Sequence, residues 1–174
     1  RAFELADKYA PNKKLVYNQN GGMQIPMWDK LKDTVLYLKS KGYRVDGIGW
    51  QGHLMNNQGL KQFVENLDEE LNKLSDLIDW AHSNKLEFHI TELDYYNDGE
   101  NNIYNSVKKQ AEVYQKLMNL LQEKSKNGLV TVNFWSMGER ISSRGKKGHY
   151  MSIYNNDTIP TKTYEVVKKF INFN

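Results

Sequence analysis

Apolar residues recur along this chain with two alternating periods, and the alternation predicts its elements. Phe3, Leu5, Ala6, Tyr9 and Ala10 fall on one helical face, which Pro11 and Asn12 end. Lys14-Leu15-Val16-Tyr17-Asn18 predicts a short strand that runs into the polar, glycine-rich stretch Gln19-Asn20-Gly21-Gly22. A helix is expected over 27–41, with Leu31, Val35 and Leu38 on one stripe and Gly42 as its stop. Val45 to Gln51 predicts the next strand, and a polar loop follows it. Leu67, Leu71, Leu74, Ile78 and Ala81 mark a long amphipathic helix. Leu86 to Asp94 predicts a third strand, then a loop of Asn, Asp and Gly around 97–102. Ile103, Val107, Ala111, Tyr114, Met118 and Leu121 give another long helix, ending near Gly128. Leu129 to Trp135 is the last strand, 136–148 a Gly-, Ser- and Arg-rich loop, and Tyr164, Val167, Phe170 and Ile171 a closing helix.

Strand then helix, four times over, implies a parallel sheet with right-handed crossovers. Within it the stretch Leu86-Glu87-Phe88-His89-Ile90-Thr91-Glu92-Leu93-Asp94 stands out, because an apolar strand ends there on two carboxylates. Strict alternation puts Glu92, Ile90 and Phe88 on one face and Thr91 and His89 on the other. If the first set lines a barrel, Glu92 stands at the carboxyl-terminal rim, where parallel α/β barrels keep their catalytic groups. Val45 to Gln51 delivers Gln51 and His53 two positions apart, so an extended chain would turn both side chains into one site. His89, on the outward face of its strand, reads as structural.

Composition narrows the chemistry. At 174 residues the chain suffices for one domain with a sizeable core. The formal charge of +3 is mild and its Lys and Arg are scattered, which gives nucleic acid or an anionic membrane little support as a partner. No run approaches the ~20 apolar residues of a membrane span. Cysteine is absent, which removes disulfides, thiolate metal sites and cysteine nucleophiles. His82 and His149 lie far from ligand-spaced partners, so neither metal nor cofactor is expected. The serines lack a Gly-x-Ser-x-Gly turn, so serine-hydrolase chemistry has no support. Large aromatics suit sugar stacking but more often fill cores, and their number alone decides nothing. The start at Arg1-Ala2-Phe3, with no signal peptide or initiator Met, suggests a fragment or a processed piece.

Taken together, the strand ends resemble glycoside hydrolase family 10, the retaining endo-β-1,4-xylanases. Ile90-Thr91-Glu92-Leu93-Asp94 looks like that family's nucleophile strand. Asp46-Gly47-Ile48-Gly49-Trp50-Gln51-Gly52-His53-Leu54 looks like the strand before it, with its Gln-x-His pair. Lys14 to Asn18 is similar to the preceding strand, and Phe134-Trp135 to the final one. The resemblance spans essentially the whole of residues 1–174 and covers only the second half of a (β/α)8 barrel, strands five to eight; a complete barrel takes about 250 residues. It implies Glu92 as nucleophile and His53 hydrogen-bonded to it, with Asp94 on the imidazole's other side. It implies Gln51 and Asn18 near the cleavage point and Trp135 as the stacking floor of that subsite. The implied substrates are xylan and xylo-oligosaccharides, and the implied location is secreted or at the cell surface.

The sequence also departs from the family pattern. Asn18 is followed by Gln19, Asn20 and Gly21 where the family has Asp-Tyr-Asn. In Trp135-Ser136-Met137-Gly138-Glu139-Arg140-Ile141-Ser142-Ser143, Glu139 takes an Asp position of the substrate site and Ser143 replaces a Trp. The family's acid/base glutamate belongs to its first four strands, which have no counterpart here. The expectation is therefore an incomplete site and exposed sheet edges, met by the barrel's N-terminal half or by self-association. Two rivals stand beside this reading. One is a noncatalytic carbohydrate-binding half barrel, the other a neighbouring retaining barrel glycosidase of different sugar specificity.

Overall fold

Four of the apolar runs lie side by side as parallel strands. The computed structural model describes residues 1–20, 25–54, 58–95, 106–135, 153–154 and 159–171. In chain order its elements are α1 (Ala2–Tyr9), β1 (Val16–Gln19), α2 (Ile25–Ser40), β2 (Gly47–Trp50), β3 (His53–Leu54), α3 (Gln58–Glu65), α4 (Leu67–Ser83), β4 (Glu87–Tyr95), α5 (Val107–Lys124), β5 (Val130–Phe134) and α6 (Lys162–Lys168). The strands run β1-β2-β4-β5, and β3 continues beyond β2 to pair with the far end of β4. All four strand pairings are parallel, as βα repeats require.

Local sequence explains where the elements stop and start. Gly42, two residues past α2, takes φ +78, and the Tyr43 N–H returns to the Leu38 carbonyl at 3.1 Å. This left-handed closure satisfies end carbonyls that a continued helix would otherwise use. The first turn of α4 holds Asp68, Glu69 and Glu70 against the positive end of its dipole. Ser106 and Thr161 cap α5 and α6, each side chain accepting from a backbone N–H three residues on. One helix was not expected. α3 occupies part of the polar loop after β3, where, among the side chains described, Phe63 and Val64 supply buried apolar surface.

The core joins one face of the sheet to α2, α4 and α5. Ile48, Trp50, Phe88 and Ile90 are buried with Leu31, Val35, Leu74, Ile78, Leu117 and Leu121 in one cluster. Full burial of such side chains contributes roughly 1.5–3 kcal/mol each. Behind the end of β4, Tyr95 and Tyr114 pack edge to face at 6.4 Å. Burial holds both phenols in their neutral form, well above the ordinary tyrosine range. Gln110 there donates to the Tyr95 carbonyl and accepts from the Thr163 hydroxyl, linking β4, α5 and α6.

This corrects the face assignment drawn from strict alternation. Phe88 and Ile90 point at the helices, and His89 and Thr91 point away from them, onto the face that lines a barrel. The registers put Asn18, Gly49, His89 and Thr131 side by side on that polar face. His89 Nδ1 lies 2.8 Å from the Thr131 hydroxyl. Its Nε2 is 3.4 Å from Glu87, which also receives Lys14 at 2.8 Å. His89 is therefore not on the outward face of its strand.

Burial pushes the His89 imidazole below its ordinary range, and Glu87 opposes that shift only in part. The unfolded chain therefore takes up this proton more readily than the folded one. Stability attributable to neutral His89 should be complete above about pH 6.5 and should fall as pH drops below it. Urea-unfolding midpoints at pH 7.5 and pH 5 measure the loss, and His89→Gln should diminish it. An unchanged pH difference in His89→Gln would rule out this origin.

Two flanks are open among the described residues. β1 and β5 are the sheet edges. α1 buries none of its side chains fully, and Leu5 and Tyr9 stand out from it. At the other flank Met118, Leu121, Val132, Phe134, Val167 and Phe170 line an apolar groove of about 370 Å³ between α5, β5 and α6. The described residues hold no helix long and apolar enough to cross a membrane.

Candidate active site

The site gathers where β4 stops following simple alternation. Up to Ile90, β4 pairs with β2 on one side and β5 on the other. From Ile90 to Leu93 β4 advances three residues while β5 advances two, from Val132 to Phe134. One extra residue on one strand is a β-bulge, and bulges re-aim side chains near active sites. As a result the consecutive residues Thr91 and Glu92 are both only partly buried, where alternation would bury one of them.

Gly52 breaks the neighbouring strand at the same level. Its φ of +71 is left-handed, and a Cβ there would approach the Ile90 Cγ2 to 2.8 Å. Only glycine fits both conditions comfortably. The turn starts β3 on a new course, with His53 in register with Asp94. Gln51 and His53 are thus not on one extended segment, and the shared-face argument for them fails. Gln51 lies one residue past β2, partly exposed, its N–H held by the Gln19 carbonyl at 3.3 Å. No described contact joins its side chain to His53.

What the bulge and the glycine turn achieve is a chain of three side chains. His53 Nδ1 is 3.0 Å from Asp94 Oδ1, and His53 Nε2 is 3.1 Å from Glu92 Oε2. Both ring nitrogens face carboxylate oxygens, which only accept, so both contacts are satisfied together when each nitrogen carries a hydrogen. The two carboxylates differ in access. Asp94 is 1% exposed behind the imidazole, whereas Glu92 keeps 17% of its side-chain surface open. Asp94 can orient the ring but cannot reach a ligand; Glu92 can.

Trp135 follows β5, its N–H bonded to the Leu93 carbonyl at 3.0 Å. Its ring meets His53 edge-on, centroids 5.6 Å apart at 86°. With 47% of its surface exposed it is not a core residue, and a broad apolar face stays available beside Glu92. Asn18 on β1, level with His89, accepts from the Thr91 hydroxyl at 3.0 Å. Five of the expected site residues therefore converge, either directly or through Thr91. Glu139 lies outside the described residues. Thr91 itself was overlooked as a site residue; its place next to Glu92 was the available signal, and the alternation argument turned it away. No cluster of His, Asp and Glu among the described residues is arranged to hold a metal ion.

An ionisable, oriented carboxylate beside an aromatic platform at the end of a parallel strand suits attack on a sugar, and the similarities point the same way. The sequence pattern of glycosyl hydrolase family 10 matches residues 1–170. Endo-1,4-beta-xylanase A of Thermoanaerobacterium saccharolyticum is 31% identical over 82% of the chain and 11% of its own length. Exoglucanase XynX of Acetivibrio thermocellus is 30% identical over 82% of the chain and 12% of its length. A psychrophilic family 10 endo-beta-1,4-xylanase superposes with a TM-score of 0.75 over 99% of this chain and 49% of its own, at 24% identity. The chain thus shares the fold of half of a (β/α)8 barrel, and it spans about a tenth of the two sequence relatives.

Proposed function

The chain belongs to glycosyl hydrolase family 10, and from that membership we propose that it forms the second half of a retaining endo-β-1,4-xylanase barrel, carrying its nucleophile. The observation that supports this most is the Glu92–His53–Asp94 chain, with Glu92 open to ligand and Asp94 buried. In this reading a Glu92 oxygen attacks the anomeric carbon of a xylosyl unit, and the bond to the leaving oxygen breaks as that oxygen takes a proton. Water then adds at the same carbon, gives up its proton, and releases Glu92 as carboxylate with configuration retained. Double displacement needs a protonated carboxyl about 5–5.5 Å from the nucleophile. Asp94 cannot be that acid, since it lies behind the imidazole, and the family resemblance implies that the acid comes from the barrel's first four strands. Trp135 supplies the apolar floor for a pyranose ring, with Asn18 and Gln51 beside the cleaved bond and Glu139 on the loop after Trp135. The substrate is a polysaccharide of the wall, which puts the protein outside the cell or on its surface.

The xylanase and exoglucanase among the relatives make sugar preference the question to test. A barrel completed with the family's first four strands should release reducing ends from xylan at least about tenfold faster than from an unbranched β-1,4-glucan. That factor is the scale at which one extra hydroxymethyl group discriminates. Equal rates, or a preference for the glucan, would favour a β-1,4-glucanase. Binding of xylan without hydrolysis would favour a noncatalytic carbohydrate-binding half barrel.

A further inference from the structure

We infer that Thr91 is a positioning residue, whose hydroxyl pins the β4 bulge and thereby aims Glu92 at His53. The inference rests on the nucleophile reading of Glu92 only for its catalytic consequence; the geometric part stands without it.

The backbone ladder is interrupted on both sides of the Thr91–Glu92 segment. On the β5 side the two residues oppose Asn133 alone, between the pairs Ile90↔Val132 and Leu93↔Phe134. On the other side β2 ends at Trp50, opposite Ile90, and pairing resumes only at His53, opposite Asp94. Where the register skips two residues, side chains that cross the gap help to hold the strand. Thr91 crosses it. Its hydroxyl lies 3.2 Å from the Trp50 carbonyl, the last of β2, and 3.0 Å from the Asn18 Oδ1 on β1. One side chain therefore spans three adjacent strands, starting from the residue before Glu92.

The neighbours fit that role. Gly49 lies between Asn18 and β4, and a Cβ there would come within 2.7 Å of the Asn18 Oδ1 and 3.1 Å of the Thr91 Cγ2. The bare glycine leaves the room in which Asn18 and Thr91 meet. A hydroxyl has one hydrogen for two acceptors, so it is shared between them. With the Asn18 oxygen occupied by Thr91, the amide NH₂ is the group left for a ligand, so Thr91 orients both Glu92 and Asn18.

The test compares Thr91→Val, which keeps the shape and loses the hydroxyl, with Thr91→Ser, which keeps the hydroxyl. In the chain alone, the ¹⁵N signals of the His53 ring report its contact with Glu92. They should shift in Thr91→Val and return in Thr91→Ser, while the urea midpoint of Thr91→Ser does not exceed that of Thr91→Val. In the completed barrel Thr91→Val should lower kcat by roughly 10- to 100-fold, the cost of a nucleophile displaced by about an ångström, with KM changed less. Thr91→Ser should recover most of that loss. His53 signals unmoved in Thr91→Val overturn the inference. If the signals move but the unsubstituted barrel turns over no glycan, the bulge role stands and the proposed function falls.

Discussion

Glu92→Gln, assayed in a barrel completed by its other half, is expected to lose xylan hydrolysis by about 10³-fold or more, the scale on which enzymes lose their covalent nucleophile. The amide matches the carboxylate in shape and its oxygen still accepts from His53 Nε2, now 3.1 Å from Glu92. The fold should therefore be kept, with an unchanged urea midpoint. What the amide lacks is the charge and electron pair that form the glycosyl bond. Trp135 and Asn18 are untouched, so binding of xylo-oligosaccharide should persist. Reducing-end release and oligosaccharide binding, measured side by side, separate these effects. A loss of less than tenfold would remove Glu92 from the nucleophile's role.

The second large effect concerns the acid that the proposed reaction requires. The chain alone should hydrolyse xylan about 10²- to 10⁴-fold more slowly than the completed barrel, the range that general acid catalysis contributes. Among the described residues the other carboxylate touching His53, Asp94, is 1% exposed and lies behind the imidazole. A substrate with a very acidic leaving group needs little protonation and should narrow the gap. Mixing the chain with a polypeptide carrying the family's first four strands, and following both substrates, tests this. Equal xylan rates with and without that polypeptide would sink it.

Much of the architecture was legible because burial and period coincide. β1, β2, β4 and β5 fall where apolar runs of strand length predicted them, and the long helices α2, α4 and α5 where the stripes lay. Glu92, His53 and Asp94 were expected as a chain through the resemblance, and the structure has that arrangement. The misreadings share one cause, backbone irregularity that period alone does not reveal. A bulge after Ile90 cancelled the alternation that had placed Phe88 and Ile90 with Glu92. A left-handed Gly52 broke the extension presumed between Gln51 and His53. A glycine within a strand signals a bulge or a close backbone approach, and two of them, Gly47 and Gly49, stand in β2 shortly before Gly52. α3 escaped notice because it begins within the polar Asn56-Asn57-Gln58-Gly59 stretch that reads as loop.

The open flanks at α1 and at the α5–β5–α6 groove give this chain's stability a mass-action character. Whatever seats there binds the folded chain and not the unfolded one, so its free concentration enters the unfolding free energy directly. At a hundred times the dissociation constant the gain is about 2.7 kcal/mol, and it grows only logarithmically beyond that. A melting temperature measured on the chain by itself is then the lower limit of a series rather than a fixed property. Dilution, which leaves an ordinary monomer indifferent, would loosen the fold by withdrawing whatever seats there.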